Sequence, residues 1–213
     1  MGGAEALRAV IFDLWNTLAE WPLAVWDATR PRIAERLGLT AERFDELWYG
    51  AYEARETGPL AAALQVLEAP PDVLDEIIAT RRAVTQQGLV PAPGALETLT
   101  KLRDRGFRLG LISVCSEDVP ELWLETPFHG LFDAEVFSCS VGLMKPDPRI
   151  YLLACERLGV APEEVVYVGD GANDELAGAA RVGMTAVLLE RPGEERAWEG
   201  ARIRKLPELL AIV

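Results

Sequence analysis

The run Val10-Ile11-Phe12-Asp13 reads as a strand that delivers a carboxylate at its end, and Thr17 follows four residues later. A carboxylate presented where a strand meets a loop is suited to catalysis. An enzyme built on that arrangement would want a second carboxylate two residues on, to give and take a proton. Trp15 stands there, and its indole N–H can only donate a hydrogen bond. Further candidates lie downstream. Ser113 ends the apolar run "FRLGLIS", Lys145 sits in "GLMKPDP", and Asp170 and Asp174 lie in "VGDGANDE". Taken singly, each has an ordinary explanation: a strand-end hydroxyl, a loop lysine, or an acid favoured in the first turn of a helix.

The elements that must position these residues follow from hydrophobic periodicity. "RAVIFD", "FRLGLIS", "DAEVFS", "EVVYVGD" and "TAVLLE" read as strands. Helical spacing occupies "PAPGALETLTKLRDRG", entered through Pro93 and stopped by Gly106, and a stretch around Glu117 to Glu125. It returns in "DPRIYLLACERLG", with Asp147 as N-cap, Pro148 at the first position and Gly159 as the stop. "NDELAGAARVG" and "LPELLAIV" read as helices too. Between residues 22 and 87 the spacing is helical throughout, in "PLAVWDATRPRIAERL", "AERFDELWYGAYEARE", "PLAAALQVLE" and "DVLDEIIATRRAVTQQ". Strands alternating with helices predict an α/β fold with a parallel sheet and helices on both faces. Such sheets bind ligands beyond the carboxyl ends of their strands. Asp13, Ser113 and Asp170 all fall at such ends and can meet in one crevice, with the four-helix insert lying over it as a cap.

Composition narrows the partners. The 213 residues are half hydrophobic and carry 34 acidic against 21 basic side chains, for a net charge of −13. That balance argues against nucleic acid or an anionic membrane surface, since each needs a basic face. No apolar run approaches the ~18 residues of a membrane span. The start, "MGGAEALRAV", lacks a signal-peptide pattern, so a cytoplasmic location is expected. Cys115, Cys139 and Cys155 are odd in number and widely spaced, which points to reduced core-filling thiols. His129 is the sole histidine, which leaves little for a histidine-based metal site or a Ser-His-Asp triad.

Four stretches together, "FDLWNTL", "LIS", "GLMKPDP" and "VGDGANDE", resemble the haloacid dehalogenase-like hydrolase superfamily in order and approximate spacing. The resemblance covers nearly the whole chain and implies a three-layer, Rossmann-like α/β core of residues 1–20 and 88–213 with a helical cap of residues 21–87. It implies a hydrolase in which Asp13 is the nucleophile and Lys145 neutralises charge on nucleophile and phosphate. Thr17, Ser113 and nearby backbone N–H groups would hold phosphate oxygens. Mg²⁺ would be held by Asp13, the main-chain carbonyl of Trp15 and Asp170, with Asp174 supporting the metal through water or anchoring Lys145. An all-oxygen site completed by waters suits Mg²⁺.

Trp15 is the departure from the pattern. The superfamily's phosphatases usually carry an Asp there, which protonates the leaving alcohol and then activates water. Its dehalogenases carry an aromatic residue, because a halide leaves without a proton. Three readings stay open: a Mg²⁺-dependent phosphohydrolase with a good leaving group or a substitute acid from the cap, a dehalogenase-like hydrolase acting at carbon, and a non-catalytic phospholigand or partner binder. The first is preferred, with a small phosphorylated substrate. Glu20 is the nearest substitute acid in sequence, and Arg30, Arg32, Arg36 and Arg43 are candidate carboxylate binders. Trp15 and Trp21 flank the hinge and are expected in the pocket. Trp26, Trp48 and Tyr52 are expected in the cap core, with Tyr49 nearby.

Overall fold

A computed structural model describes residues 6–213. Six parallel strands form one sheet in the order β3-β2-β1-β4-β5-β6: β1 Ala9–Phe12, β2 Arg108–Ser113, β3 Ala134–Phe137, β4 Val165–Gly169, β5 Thr185–Leu189 and β6 Ala201–Ile203. The central strand β1 is wholly buried because both faces of the sheet are covered. Its alternate side chains divide between two cores. Val10 and Phe12 pack on one face, Ala9 and Ile11 on the other. Phe12 pairs with Leu111 of β2 and with Val168 of β4, so the three strands end side by side. The chain leaves β1 toward β2 on one flank and returns to β4 on the other. The carboxyl end of β1 is therefore the topological switch point where such sheets open a crevice.

Five helices form the insert that follows β1: α1 Leu23–Arg36, α2 Ala41–Gly50, α3 Tyr52–Thr57, α4 Leu60–Ala63 and α5 Pro71–Gly88. They enclose a core of their own around Trp26, Phe44, Trp48, Leu60 and Ile77. The expected single helix "AERFDELWYGAYEARE" is broken at Gly50-Ala51, consistent with the poor helix propensity of glycine. "PLAAALQVLE" yields one turn of α-helix followed by a 3₁₀ turn.

The rest of the chain follows the expected order with local differences. Helix α6, Ala95–Asp104, starts two residues beyond Pro93. The residue before it, Gly94, has φ +80°, and a Cβ there would lie 2.9 Å from the Pro207 ring. Helix α7 spans only Asp118–Leu122, and the one-turn α8, Ser138–Val141, was not legible in the sequence. Helix α9, Pro148–Leu158, is capped as expected: Asp147 accepts the N–H of Arg149 at 2.9 Å, and Gly159 ends the helix at φ +63°. Helix α10, Glu175–Arg181, is preceded by a 3₁₀ turn. Strand β6 was not anticipated, since two of its three residues are exposed, and the C-terminal helix is 3₁₀ rather than α. Cys115, Cys139 and Cys155 are unpaired. Among the described residues no helix is long and apolar enough to cross a membrane.

The seam between the insert and the sheet is tight at Gly88. A Cβ there would stand 2.5 Å from Pro22 Cδ and 3.0 Å from both the Glu20 carbonyl and the Trp15 ring. Gly88→Ala is expected to destabilise the fold by about 1–3 kcal/mol, the usual cost of overpacking, in urea unfolding. An unchanged midpoint would show that the seam yields freely.

Candidate active site

Asp13 follows β1 directly, and its N–H donates to the Val168 carbonyl at 2.9 Å, prolonging the β1–β4 ladder by one residue. The next six residues form a tight turn. Leu18 and Ala19 donate N–H bonds to the Leu14 carbonyl, Asn16 takes a left-handed φ of 62°, and Leu14, Leu18 and Ala19 are buried. This turn lets the side chain of Trp15 line a crevice that Asp13 also lines.

Lys145, on the loop before α9, is 4% exposed and uses all three ammonium donors. Its Nζ lies 2.5 Å from Asp13 Oδ1, 2.5 Å from Glu175 Oε2 and 3.0 Å from the Tyr167 hydroxyl. Tyr167 in turn donates to Glu175 Oε2 at 2.7 Å, and the Gly171 N–H donates to Glu175 Oε1 at 3.0 Å. Asp170 Oδ1 accepts the Ala172 N–H at 2.9 Å. Oxygens of Asp13, Asp170 and Glu175 lie within 4.8 Å of one another. When ionised these three carboxylates face one ammonium, so the cluster carries excess negative charge.

Burial, reinforced by Glu175 and Asp170, pushes the Asp13 carboxyl up to about 7 against the opposing pull of Lys145. Burial would lower Lys145, but Asp13 and Glu175 outweigh it and hold the ammonium well above its ordinary range. Asp170 is raised by burial and then by Glu175.

The structure changes the expected fourth acid. Asp174 is exposed, and Glu175 is the group that holds Lys145. Asn173 and Asp174 both adopt left-handed backbone, φ 52° and 54°, and that double turn accompanies an outward Asp174 and a Glu175 that is 1% exposed. Ser113 and Thr17 are both fully enclosed, and neither hydroxyl has a hydrogen-bond partner among the described residues. Val114, rather than Ser113, lines the crevice, while Thr17 lines a neighbouring cavity beside Arg191 and Lys205. Glu20 also lines that neighbouring cavity, is exposed, and is paired with Arg191 at 2.8 Å.

The crevice above Asp13 has a volume of about 350 Å³ and its far wall is built by the helical insert. Trp15 meets Trp21 edge to face, with ring centroids 5.1 Å apart. Trp26 and Trp48 serve both the insert's core and the cavity wall, with Tyr49 at the mouth. Tyr52 also reaches the cavity, and its hydroxyl accepts from Asn173 Nδ2 at 3.4 Å.

None of Arg30, Arg32, Arg36 and Arg43 lines this cavity; Arg30, for one, is paired with Asp27 and Asp45. The cationic side chains that the insert brings to it are Arg55 and Arg81, both buried. The Arg55 guanidinium lies 4.3 Å from the Trp48 ring centroid, and that of Arg81 lies 4.3 Å from the Trp21 centroid. Arg81 also donates to Thr85 Oγ1 at 2.8 Å and Ser116 Oγ at 3.3 Å, while Thr85 donates to Asp118. A sequence signal for Arg81 did exist: it continues the buried stripe Val73, Leu74, Ile77, Val84 of α5, where an arginine is out of place.

Comparison with known proteins agrees with this arrangement. The haloacid dehalogenase-like hydrolase family matches residues 7–183. The chain belongs to that family. A glyceraldehyde 3-phosphate phosphatase of Methanopyrus kandleri is 41% identical over 200 residues, covering 87% of this chain and 84% of its own length. Two solved structures, a HAD phosphatase from Thermococcus onnurineus and a 2-haloacid dehalogenase from Pseudomonas syringae, superpose with TM-scores of 0.72 and 0.73. Each is 27% identical; they cover 97% of this chain and 97% and 99% of their own. As a member of the haloacid dehalogenase-like family, the protein is a hydrolase.

The raised Asp13 carboxyl has a consequence for stability. The folded chain binds a proton there up to about pH 7, whereas the unfolded chain releases it near the ordinary value of 3.8. Stability therefore falls as pH rises through that window. Asp13→Asn has no such proton to lose. With EDTA present, its stability relative to the wild type is expected to improve from pH 4 to pH 7 and to level off above. Paired unfolding curves across that range check this, and a pH-independent difference would contradict it.

Proposed function

We propose that the protein is a phosphohydrolase that takes a small phosphorylated substrate and passes its phosphoryl group through Asp13. The observation that carries this reading is the buried cluster of Asp13, Asp170 and Glu175 around Lys145 at the carboxyl ends of β1 and β4. A site for carbon–halogen cleavage gains little from two further buried carboxylates beside its nucleophile. The similarity to the Methanopyrus kandleri phosphatase supports the same reading. A dehalogenase-like activity remains the second reading, favoured by the aromatic Trp15 and by the structural likeness to the Pseudomonas syringae dehalogenase.

The donor set fits Mg²⁺. Glu175 spends both oxygens on Lys145, Tyr167 and the Gly171 N–H, which makes it the lysine's anchor. Asp13 and Asp170 each have a second carboxylate oxygen without a hydrogen bond among the described residues. The free Asp170 oxygen, the Asp13 carboxylate through its other oxygen and the main-chain carbonyl of Trp15 would hold the ion, whose surplus positive charge offsets the excess negative charge of the cluster. Bound there, Mg²⁺ supplies charge neutralisation between two anions that would otherwise repel.

The chain's own residues do the rest. Lys145 fixes Asp13 Oδ1 and leaves Oδ2 for attack on phosphorus, which forms an aspartyl-phosphate and releases the alcohol. Water then cleaves the acyl phosphate and regenerates the carboxylate. The helical insert, residues 21–87, acts as a cap that excludes bulk water over the core of residues 1–20 and 88–213.

The wild type is expected to hydrolyse p-nitrophenyl phosphate and acetyl phosphate with Mg²⁺ and not with EDTA, and Asp13→Asn to reduce phosphate release to background. Release of halide from short 2-haloacids, with no phosphate released from either ester, would transfer the assignment to the second reading. Mg²⁺ should also raise the melting temperature of the wild type, and Asp170→Asn should abolish most of that shift. An equal shift in the variant would remove Asp170 from the metal site.

A further inference from the structure

Trp15 leaves the proposed reaction without a group to move protons at the leaving oxygen. The cavity-lining carboxylates are Asp13, Asp170, Glu175 and Glu56. The first three form the cluster around Lys145. Glu56 also lines the cavity, lies in α3 of the insert and is 5% exposed.

Its surroundings suit a proton carrier. Glu56 Oε1 accepts from Arg55 Nε at 3.1 Å, while Oε2 has no hydrogen-bond partner among the described residues. Arg55 is itself fixed, because it donates to the Trp48 carbonyl at 2.6 Å and stacks on the Trp48 ring. The backbone of Glu56 is tied to the core, since its carbonyl accepts the Ser138 hydroxyl at 2.5 Å and Ser138 Oγ accepts the Cys115 N–H at 2.9 Å. Nearby, the Leu60 N–H donates to Glu117 Oε2 at 3.1 Å. Glu56 therefore sits at a pinned joint between insert and sheet. The charged and titratable groups around it are Arg55 and Tyr52 on its own helix, Arg81 of α5, Asp118 of α7, and the thiols of Cys115 and Cys139. Burial pushes its carboxyl up against the opposing pull of Arg55 and Arg81.

We infer that Glu56 is the general acid and base of this site, acting from the insert in place of the carboxylate that Trp15 displaces. The inference rests on the phosphohydrolase reading. In the first step Asp13 Oδ2 bonds to phosphorus as the ester P–O bond breaks, and Glu56 gives its proton to the leaving oxygen, so that neutral alcohol departs. In the second, ionised Glu56 takes a proton from water as the water oxygen bonds to phosphorus. The Asp13–phosphorus bond breaks, leaving hydrogen phosphate, the Asp13 carboxylate and protonated Glu56.

The test is stopped-flow hydrolysis of p-nitrophenyl phosphate and phenyl phosphate with Mg²⁺ by the wild type and Glu56→Gln, which keeps the side chain's shape and an acceptor for Arg55. Nitrophenolate leaves without a proton, so the variant should release a first equivalent of p-nitrophenol at nearly the wild-type rate. Its steady state should then be slower by ~10²–10⁴-fold, the usual worth of general acid–base catalysis. With phenyl phosphate, whose leaving group needs the proton, the first release should slow as well. If Gln is not tolerated in the fold, Glu56→Asp, which draws the carboxyl back by one methylene, should show the same split between phases. Equal losses in both phases, or no loss in either, would overturn the role of Glu56. A wild type that releases no p-nitrophenol at all would overturn the phosphohydrolase reading, and this role with it.

Discussion

The site depends on one buried lysine. Lys145 stands where three carboxylates converge, and without its ammonium the sheet's switch point would hold only like charges in a poorly solvated space. A buried pair of this kind is weak evidence of net stability, since desolvation offsets much of the Coulomb gain, but breaking it typically costs about 3–5 kcal/mol. The pair here is better read as a positioning device. Lys145 draws Asp13 and Glu175 together at 2.5 Å each and thereby orients the Asp13 carboxylate. Tyr167 and the Gly171 N–H hold Glu175 from the other side, so the lysine's anchor is itself anchored. The charge left over after this pairing is what the proposed cation at Asp13 and Asp170 would offset.

The second constraint is the joint between the helical insert and the sheet. It is made of unlike parts that meet within a short span of the chain. Trp15 and Trp21 pack edge to face, Gly88 lets α5 end against them, and Arg81 stacks on Trp21 while reaching Ser116. On the other side Ser138 binds the backbone of Glu56. Trp15 thus has two consequences. It puts an indole, which can only donate a hydrogen bond, on the strand side of the cavity, and it provides a surface against which the insert is seated.

Much of this was legible in the sequence because it follows from periodicity and from strand ends. Alternating strands and helices require a parallel sheet, and β1, β2 and β4 then deliver Asp13, Ser113 and Asp170 to adjoining positions. The helical insert was legible from its apolar spacing, and the lack of a proton carrier at Trp15 follows from the chemistry of indole alone. Strand β6 and the one-turn α8 were not, since three or four residues carry no period.

Other features were settled only by the tertiary structure. Asp174 and Glu175 are adjacent acids, and two consecutive left-handed residues determine which of them turns inward. Arg30 and Arg55 both belong to helices of the insert, but only the packing of α3 and α5 over the end of β1 brings Arg55 and Arg81 to the cavity and leaves Arg30 outside. Glu20 is close to Asp13 along the chain yet is directed to Arg191, while Glu56, far along the chain, lines the same cavity as Asp13. A linear pattern records which face of an element is apolar, and that is enough to place the strand ends. It does not record which turn of one element lies over which end of another, and the insert's share of the cavity wall is built from those long-range contacts.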